Sequence, residues 1–206
     1  MTFSTKKRPL RFVTAASLFD GHDASINIMR RLLQTSGVEV VHLGHNRSVD
    51  EIVRAAVQED VQGIAVSSYQ GGHIEFFHYM TEKLAQQGAG GIKVFGGGGG
   101  VIVPDEILEL ERSGVEKIYS PEDGQSMGLL GMIQDMIDRC KSSSREEQSG
   151  FPGNVPALLQ SGRDVDLARV LSAIENAQLD PIQEQELLSL QADQPAVVLG
   201  ITGTGG

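Results

Sequence analysis

The sequence predicts a doubly wound α/β domain over residues 1–140, a five-stranded parallel sheet with helices on both faces. Three observations carry this. Short apolar runs rich in β-branched residues alternate with amphipathic segments from residue 10 to residue 140. The alternation repeats five times, so successive strands are separated by crossover helices and must lie parallel. The connections are short and rich in Gly, Asp and Ser. The expected strand order is the flavodoxin-like (Rossmann-like) 2-1-3-4-5.

The strands fall at 12–16, 38–43, 63–67, 92–95 and 117–119, each a compact apolar run. The helices fall at 24–34, 49–58, 74–87, 104–113 and 124–139. The second has the clearest rhythm, with Ile52, Val53, Ala56 and Val57 on one face. Ser48 stands at its N-cap with Glu51 three residues on, the signature of a capping box. In the fifth, Met127, Leu130, Ile133 and Ile137 form a stripe expected to face the core.

Composition changes after Cys140. Residues 141–156 are polar, aperiodic and rich in Gly, Pro and Ser, and read as a linker. Within the connecting segment 141–195, two short amphipathic helices are expected near 165–177 and 182–191, the second with Pro181 at N1. Residues 196–201 form a last apolar strand that runs into Thr202-Gly-Thr-Gly-Gly206. Gly203-Thr-Gly-Gly206 is the first half of a phosphate-binding loop whose lysine and hydroxyl residue are absent. Residues 196–206 therefore read as the opening of a second domain.

Of the 206 residues, 40% are hydrophobic, enough for a packed core, while 25 Gly and seven Pro point to tight loops. The formal net charge of −10 and a pI near 4.9 argue against non-specific nucleic-acid binding. Cys140 is the single cysteine, so an internal disulfide and a thiolate metal cluster are both excluded. The basic N-terminus is followed by no signal-like apolar stretch, and no run approaches the ~20 apolar residues that span a bilayer. The expectation is a cytoplasmic protein without membrane contact.

Three features converge on the edge where the strands end, the place where open parallel sheets bind ligands. Asp20-Gly21-His22-Asp23 follows the first strand. A carboxylate that orients a histidine ring is the usual support for a metal ligand, although a solvated loop histidine is the simpler reading of these residues alone. Ser67-Ser68-Tyr69-Gln70-Gly71-Gly72-His73 follows the third strand, and Gly96-Gly-Gly-Gly-Gly100 spans the end of the fourth. Five consecutive glycines let a bulky flat group approach the backbone. His42 lies in the second strand and reads as a satisfied histidine. His45-Asn46-Arg47 reads either as a polar turn or as a contact to a ligand or neighbouring domain. His73 and His78 carry no assigned chemistry.

Asp20-Gly21-His22, Ser67-Ser68-Tyr69 and Gly96-Gly97 together resemble the Asp-x-His, Ser-x-Leu and Gly-Gly motifs of the cobalamin-binding domain of the methylmalonyl-CoA mutase family. The resemblance extends over residues 9–138 and includes Gly71-Gly72 and Tyr119-Ser120-Pro121. It implies that cobalamin binds with its own base displaced from cobalt, and that His22 becomes the lower axial ligand with Asp20 on its other ring nitrogen. Ser67 would then bond the displaced base, and the tail would enter a slot beside Gly96, Gly97 and Gly98. Gly21, Asp23, Ser25, Ile26, Tyr69, Gly71, Gly72, Tyr119, Ser120 and Pro121 would complete the cofactor surface. The chain departs from the family pattern at Ser25 (usually glycine), Tyr69 (leucine) and Ala16 (lysine in the methylmalonyl-CoA enzymes).

With the glycine-rich C-terminus, the module order resembles the fused isobutyryl-CoA mutases, a branch of that family. This implies an adenosylcobalamin (cobalt) module of a radical isomerase interconverting isobutyryl-CoA and n-butyryl-CoA, inactive alone and without catalytic residues in this chain. Its partners would be a GTP-binding chaperone domain using GTP and Mg, an acyl-CoA-binding barrel, and a second copy in a homodimer. A cobalamin carrier, sensor or methyl-transfer module is the alternative. Such modules usually carry a helical cap, for which the short segment before the first strand is expected to leave no room. A receiver-type signalling domain would place an aspartate where Ser67-Ser68 stand.

Overall fold

A computed structural model of the chain describes residues 8–143, 151–190 and Gly200. Its five strands are β1 (Arg11–Ser17), β2 (Glu39–Arg47), β3 (Gly63–Ser67), β4 (Lys93–Gly97) and β5 (Lys117–Tyr119). They pair in parallel throughout, in the order β2-β1-β3-β4-β5. Helices α1 (Ala24–Thr35), α2 (Val49–Gln58), α3 (His73–Gln86), α4 (Pro104–Arg112) and α5 (Pro121–Ser143) alternate with them. The flavodoxin-like topology expected from the alternation is the one observed.

Side-chain alternation along the strands divides the core in two. Val13, Ile64, Val66, Val94 and Ile118 face α2, α3 and α4 and bury Ile52, Phe77, Met80, Leu84 and Leu110 with them. Phe12, Ala65, Phe95 and Tyr119 face α1 and α5, beside Leu33, Ile133, Met136 and Ile137. Each such side chain contributes about 1.5–3 kcal/mol when fully buried. Gly63 has no side chain, so the Phe12 ring can lie over it and stack on Phe95 at a centroid distance of 6.0 Å.

Local signals set the element boundaries. The Ser48 hydroxyl accepts the Glu51 N–H (3.3 Å) and the Glu51 carboxylate accepts the Ser48 N–H (2.9 Å), closing the expected capping box. That backbone N–H, followed by the Ser48 and Arg47 side chains, holds the Glu51 carboxyl at a pKa of about 2. Cys140 is buried, and desolvation pushes its thiol up to about 12.

Two of these elements differ from the sequence expectation. β2 continues through His45-Asn46-Arg47, which is strand and not a turn after it. Register shifts opposite Ala15 let it extend, with Gly44 at φ 83° and Asn46 at φ 56°. Helix α5 is broken at Gly128 (φ 66°, ψ 173°), so its stripe changes phase. Ile133 and Ile137 are core, whereas Met127 and Leu130 are exposed.

The tail also differs. The aperiodic stretch 141–156 contains the last turn of α5 and the start of α6 (Val155–Gln160), whose Asn154 cap accepts the Ala157 N–H. The connecting segment thus holds three described helices rather than two, α6 being followed by α7 (Asp164–Glu175) and α8 (Pro181–Ser189) with Pro181 at N1. Helix α7 packs on α2 and buries Val165 in the larger core. Apart from Gly200, the expected strand 196–201 and the glycine-rich end lie outside the described residues.

Gly96 is demanded by packing. A Cβ there would stand 2.5 Å from the Phe77 ring and 2.6 Å from Ile118 Cδ1. Gly96→Ala is expected to lower the unfolding free energy by about 1–3 kcal/mol, read from the urea midpoint at unchanged slope.

Candidate functional site

Asp20 ends the first strand-to-helix turn with a completely buried side chain. Its Oδ1 accepts the backbone N–H of His22 and lies 2.8 Å from His22 Nδ1, and its Oδ2 accepts the Tyr69 N–H at 2.6 Å. A carboxylate only accepts, so Nδ1 carries the imidazole proton and Nε2 keeps a free lone pair. The His22 side chain remains 67% exposed, and its ring lies 5.6 Å from that of Tyr69. Beneath this clamp the Ser17 hydroxyl donates to Ser68 Oγ at 2.9 Å, joining the ends of β1 and β3 a second time.

The strand register places Ser67 beside Ala16 and Gly97 at the sheet edge. These three small residues end their strands on the α1/α5 side, and a cavity of about 280 Å³ opens there between the two helices. Its floor is Ala65, Phe95 and Tyr119, and Ile26, Leu129 and Met132 belong to its helical walls. Ser25 and Ser67 are among the residues that line this apolar chamber. Both hydroxyls are buried and neither has a hydrogen-bond partner among the described residues. Buried polar atoms of a native protein are nearly always paired, so two orphans in one cavity point to a ligand with polar atoms.

The residues singled out from the sequence divide into three groups. Ser25, Ile26, Ser67, Tyr69, Gly96, Gly97, Gly98, Tyr119, Ser120 and Pro121 line the cavity together. Asp20 acts from below, while Gly21, His22 and Asp23 form an exposed loop at its rim. Gly71 and Gly72 do not line it, and Gly72 (φ 82°) serves as the left-handed N-cap of α3. The glycine run is also less open than its composition implies. A Cβ at Gly98 would land on the Ser68 carbonyl oxygen, and Gly99–Val101 is a 3-10 turn with Tyr69 packed against Gly99.

Other rim residues had no sequence signal. Leu129, Met132 and Met136 reach the cavity only because Gly128 resets the helix phase. Phe19, at φ 64° and 80% exposed, is held by a 2.8 Å bond from its N–H to Asn46 Oδ1. Such backbone strain in a non-glycine residue clusters at functional sites. His42 Nδ1 bonds Thr14 Oγ1 at 2.9 Å and is satisfied. His73 Nε2 meets Glu106 Oε2 at 3.0 Å and ties the serine loop to the helix after the glycine loop. The Val103 N–H, then His73, holds the Glu106 carboxyl below its usual range.

Because the clamp presents one acceptor group to three N–H donors, Asp20→Asn is expected to cost about 1–3 kcal/mol of stability. Nitrogen-15 NMR of the unsubstituted chain at alkaline pH is expected to find the His22 proton on Nδ1. Its presence on Nε2 would contradict the clamp.

The B12 binding domain family matches residues 10–124. The "Fused isobutyryl-CoA mutase" of Cupriavidus metallidurans is 60% identical over 198 residues, 96% of this chain and 18% of that protein. The chain thus spans about a fifth of the length of such relatives. The "Pivalyl-CoA mutase small subunit" of Xanthobacter autotrophicus is 33% identical over 115 residues, 55% of this chain and 75% of that subunit. A solved cobalamin-binding protein from Desulfitobacterium hafniense superposes with a TM-score of 0.52 at 23% identity, over 64% of this chain and 58% of that one. It shares the fold. With the matched residues running from the start of β1 into α5, through every loop of the cavity, the chain belongs to the B12-binding domain family.

Proposed function

We propose that this chain binds adenosylcobalamin with the cofactor's own base displaced, His22 Nε2 taking the lower position on cobalt and the nucleotide tail entering the α1/α5 chamber. The observation that carries this reading is the orphaned Ser67 hydroxyl, buried in an apolar cavity beside an exposed histidine whose second ring nitrogen is already engaged. Among the described residues no group of three or more His, Cys, Asp or Glu side chains is arranged to hold a metal ion. A metal meeting His22 must therefore bring its remaining ligands with it, as a corrin does.

The donor set suits that group. Asp20 fixes the imidazole tautomer and the orientation of the ring. Ser67 supplies one hydrogen bond to the base, and Gly97 lets it lie against the backbone. The cofactor when bound supplies a cobalt–carbon bond that breaks to radicals; this chain contributes binding and orientation, with no catalytic side chain of its own.

In the longer protein, the names of the relatives favour an acyl-CoA mutase acting on isobutyryl-CoA, for which we propose n-butyryl-CoA as the other partner of the interconversion. An acyl-CoA-binding barrel would then cover the upper corrin face and exclude water from the radical. Gly203-Thr-Gly-Gly206 favours a GTP-binding domain, with its Mg, as the next module, and the whole would act as a homodimer. A sequence with a single cysteine accords with a reducing cytoplasm. Among the described residues no helix is long and apolar enough to cross a membrane.

The test is electron paramagnetic resonance of the Co(II) cofactor bound to the chain. Labelling histidine with nitrogen-15 is expected to change the hyperfine pattern, and His22→Ala to abolish that change. Spectra indifferent to both would remove His22 from cobalt. Ser67→Ala is expected to weaken cobalamin binding about fivefold to tenfold, the loss of one buried hydrogen bond, measured by absorbance titration.

A further inference from the structure

We propose that His73 is a positioning residue for the cofactor: held as an imidazolium between the Gln70 carbonyl and the Glu106 carboxylate, it keeps the loops after β3 and β4 joined; this rests on the cobalamin reading above.

His73 opens α3 and is only 7% exposed, yet neither it nor Glu106 lines the α1/α5 cavity. Its Nδ1 lies 3.3 Å from the Gln70 carbonyl oxygen and its Nε2 lies 3.0 Å from Glu106 Oε2. A backbone carbonyl accepts and never donates. Glu106 Oε2 is an acceptor as well, taking the Val103 N–H at 2.9 Å. That bond, then His73, holds the carboxyl below its usual range, so it is ionised at neutral pH. A neutral imidazole has one N–H and can serve one of these acceptors, with its lone pair turned on the other. Both contacts are met when both nitrogens carry a proton.

The surrounding charges place that demand on one group. The loops 68–72 and 98–103 carry no charged side chain. Glu75 and His78 follow His73 on α3, Asp105 and Glu109 flank Glu106 on α4, and Lys93 lies at the opposite end of β4. On α2, Asp50 and Glu51 are paired with Lys83 and Arg47, and Arg54 stands a turn further on. The positive end of α3 opposes a cation at its first residue, so the Glu106 carboxylate has to hold it. One carboxylate oxygen thereby fastens the His73 ring to the Val103 N–H and the serine loop to the glycine loop. At the other end of the serine loop Asp20 accepts the Tyr69 N–H, and Tyr69 packs against Gly99. This Tyr69–Gly99 contact in the cavity wall is braced by Asp20 on one side and by the His73–Glu106 pair on the other. As pH rises and the ring loses a proton, one of its two contacts becomes lone pair against lone pair. The loops are therefore joined on the acid side of that step and loosened on the alkaline side.

The experiment has two arms, both on the 206-residue chain. Nitrogen-15 NMR of labelled histidine, with His73 assigned from its loss in His73→Gln, is expected to find hydrogen on both ring nitrogens at pH 7 without cofactor. In Glu106→Gln, whose amide oxygen can still accept the Val103 N–H, one of the two is expected to be bare. An unsubstituted chain with one bare nitrogen at pH 7, or a ring that Glu106→Gln leaves unaltered, would overturn the imidazolium. Absorbance titration with adenosylcobalamin then gives the ratio of dissociation constants, Glu106→Gln over the unsubstituted chain, across the pH range where His73 titrates. His22 is common to both chains and cancels from the ratio. The ratio is expected to be about threefold to tenfold on the acid side, the net worth of one hydrogen bond, and to fall toward one on the alkaline side. A ratio of one throughout, or one that is the same at every pH, would overturn the positioning role, because a purely structural glutamate acts alike at all of them. An unsubstituted chain that binds no adenosylcobalamin would end the cobalamin reading and the positioning role with it, whereas the histidine spectra would still decide the imidazolium.

Discussion

The Asp20 carboxylate, wholly buried and shared among three N–H groups, is the contact on which the rest of the site is built. A carboxylate withdrawn from water is costly unless its lone pairs are filled. Here they are filled by donors from two different loops, so the charge that must be satisfied also binds the β1–α1 turn to the β3–α3 turn. The His22 ring can then adopt one orientation and one tautomer. The Ser17–Ser68 bond below repeats the link between the same two strands and leaves the clamp little freedom to shift.

The cavity has a separate origin in the sizes of side chains at the strand ends. On the α2–α4 face, Val, Ile, Phe and Leu interlock to a full core. On the other face Ala16, Ser67 and Gly97 come into register side by side at the rim. Their small side chains leave room beneath α1 and α5, where the cavity lies. The break at Gly128 matters for the same reason. It turns Leu129 and Met132 toward the chamber, where an unbroken helix would have placed Met127 and Leu130. Apolar walls with two unpaired hydroxyls result from this mismatch between a small-residue rim and a broken helix.

The glycine run shows how one composition serves two purposes. Gly96, Gly97 and Gly98 all line the cavity, but Gly96 and Gly98 are bare also because Phe77, Ile118 and the Ser68 carbonyl already occupy the space of a Cβ. Reading all five as a wall for a flat ligand therefore overstated the ligand's share. Likewise, His45-Asn46-Arg47 looked like a turn because its residues favour turns, yet pairing with β1 holds it as strand. Asn46 in that strand accepts the Phe19 N–H and shapes the rim, a role that no local pattern signals.

What the sequence by itself determined was whatever depends on neighbours in the chain. That includes the alternation of strands and helices, the Ser48–Glu51 cap, and the placing of Asp20, His22, Ser67 and the glycines on loops at one sheet edge. A side-chain period and a cap are interactions within a few residues, so they can be read from residue types alone. Tertiary structure decided which of those loop residues meet: the Tyr69 N–H that reaches Asp20, the phase of α5 beyond Gly128, and the presence of Ser25 and Ser67 in the lining of one apolar cavity. These follow from strand register and helix packing between residues forty or more positions apart, such as Asp20 and Tyr69, and a hydroxyl becomes an orphan only when its whole surroundings are closed around it.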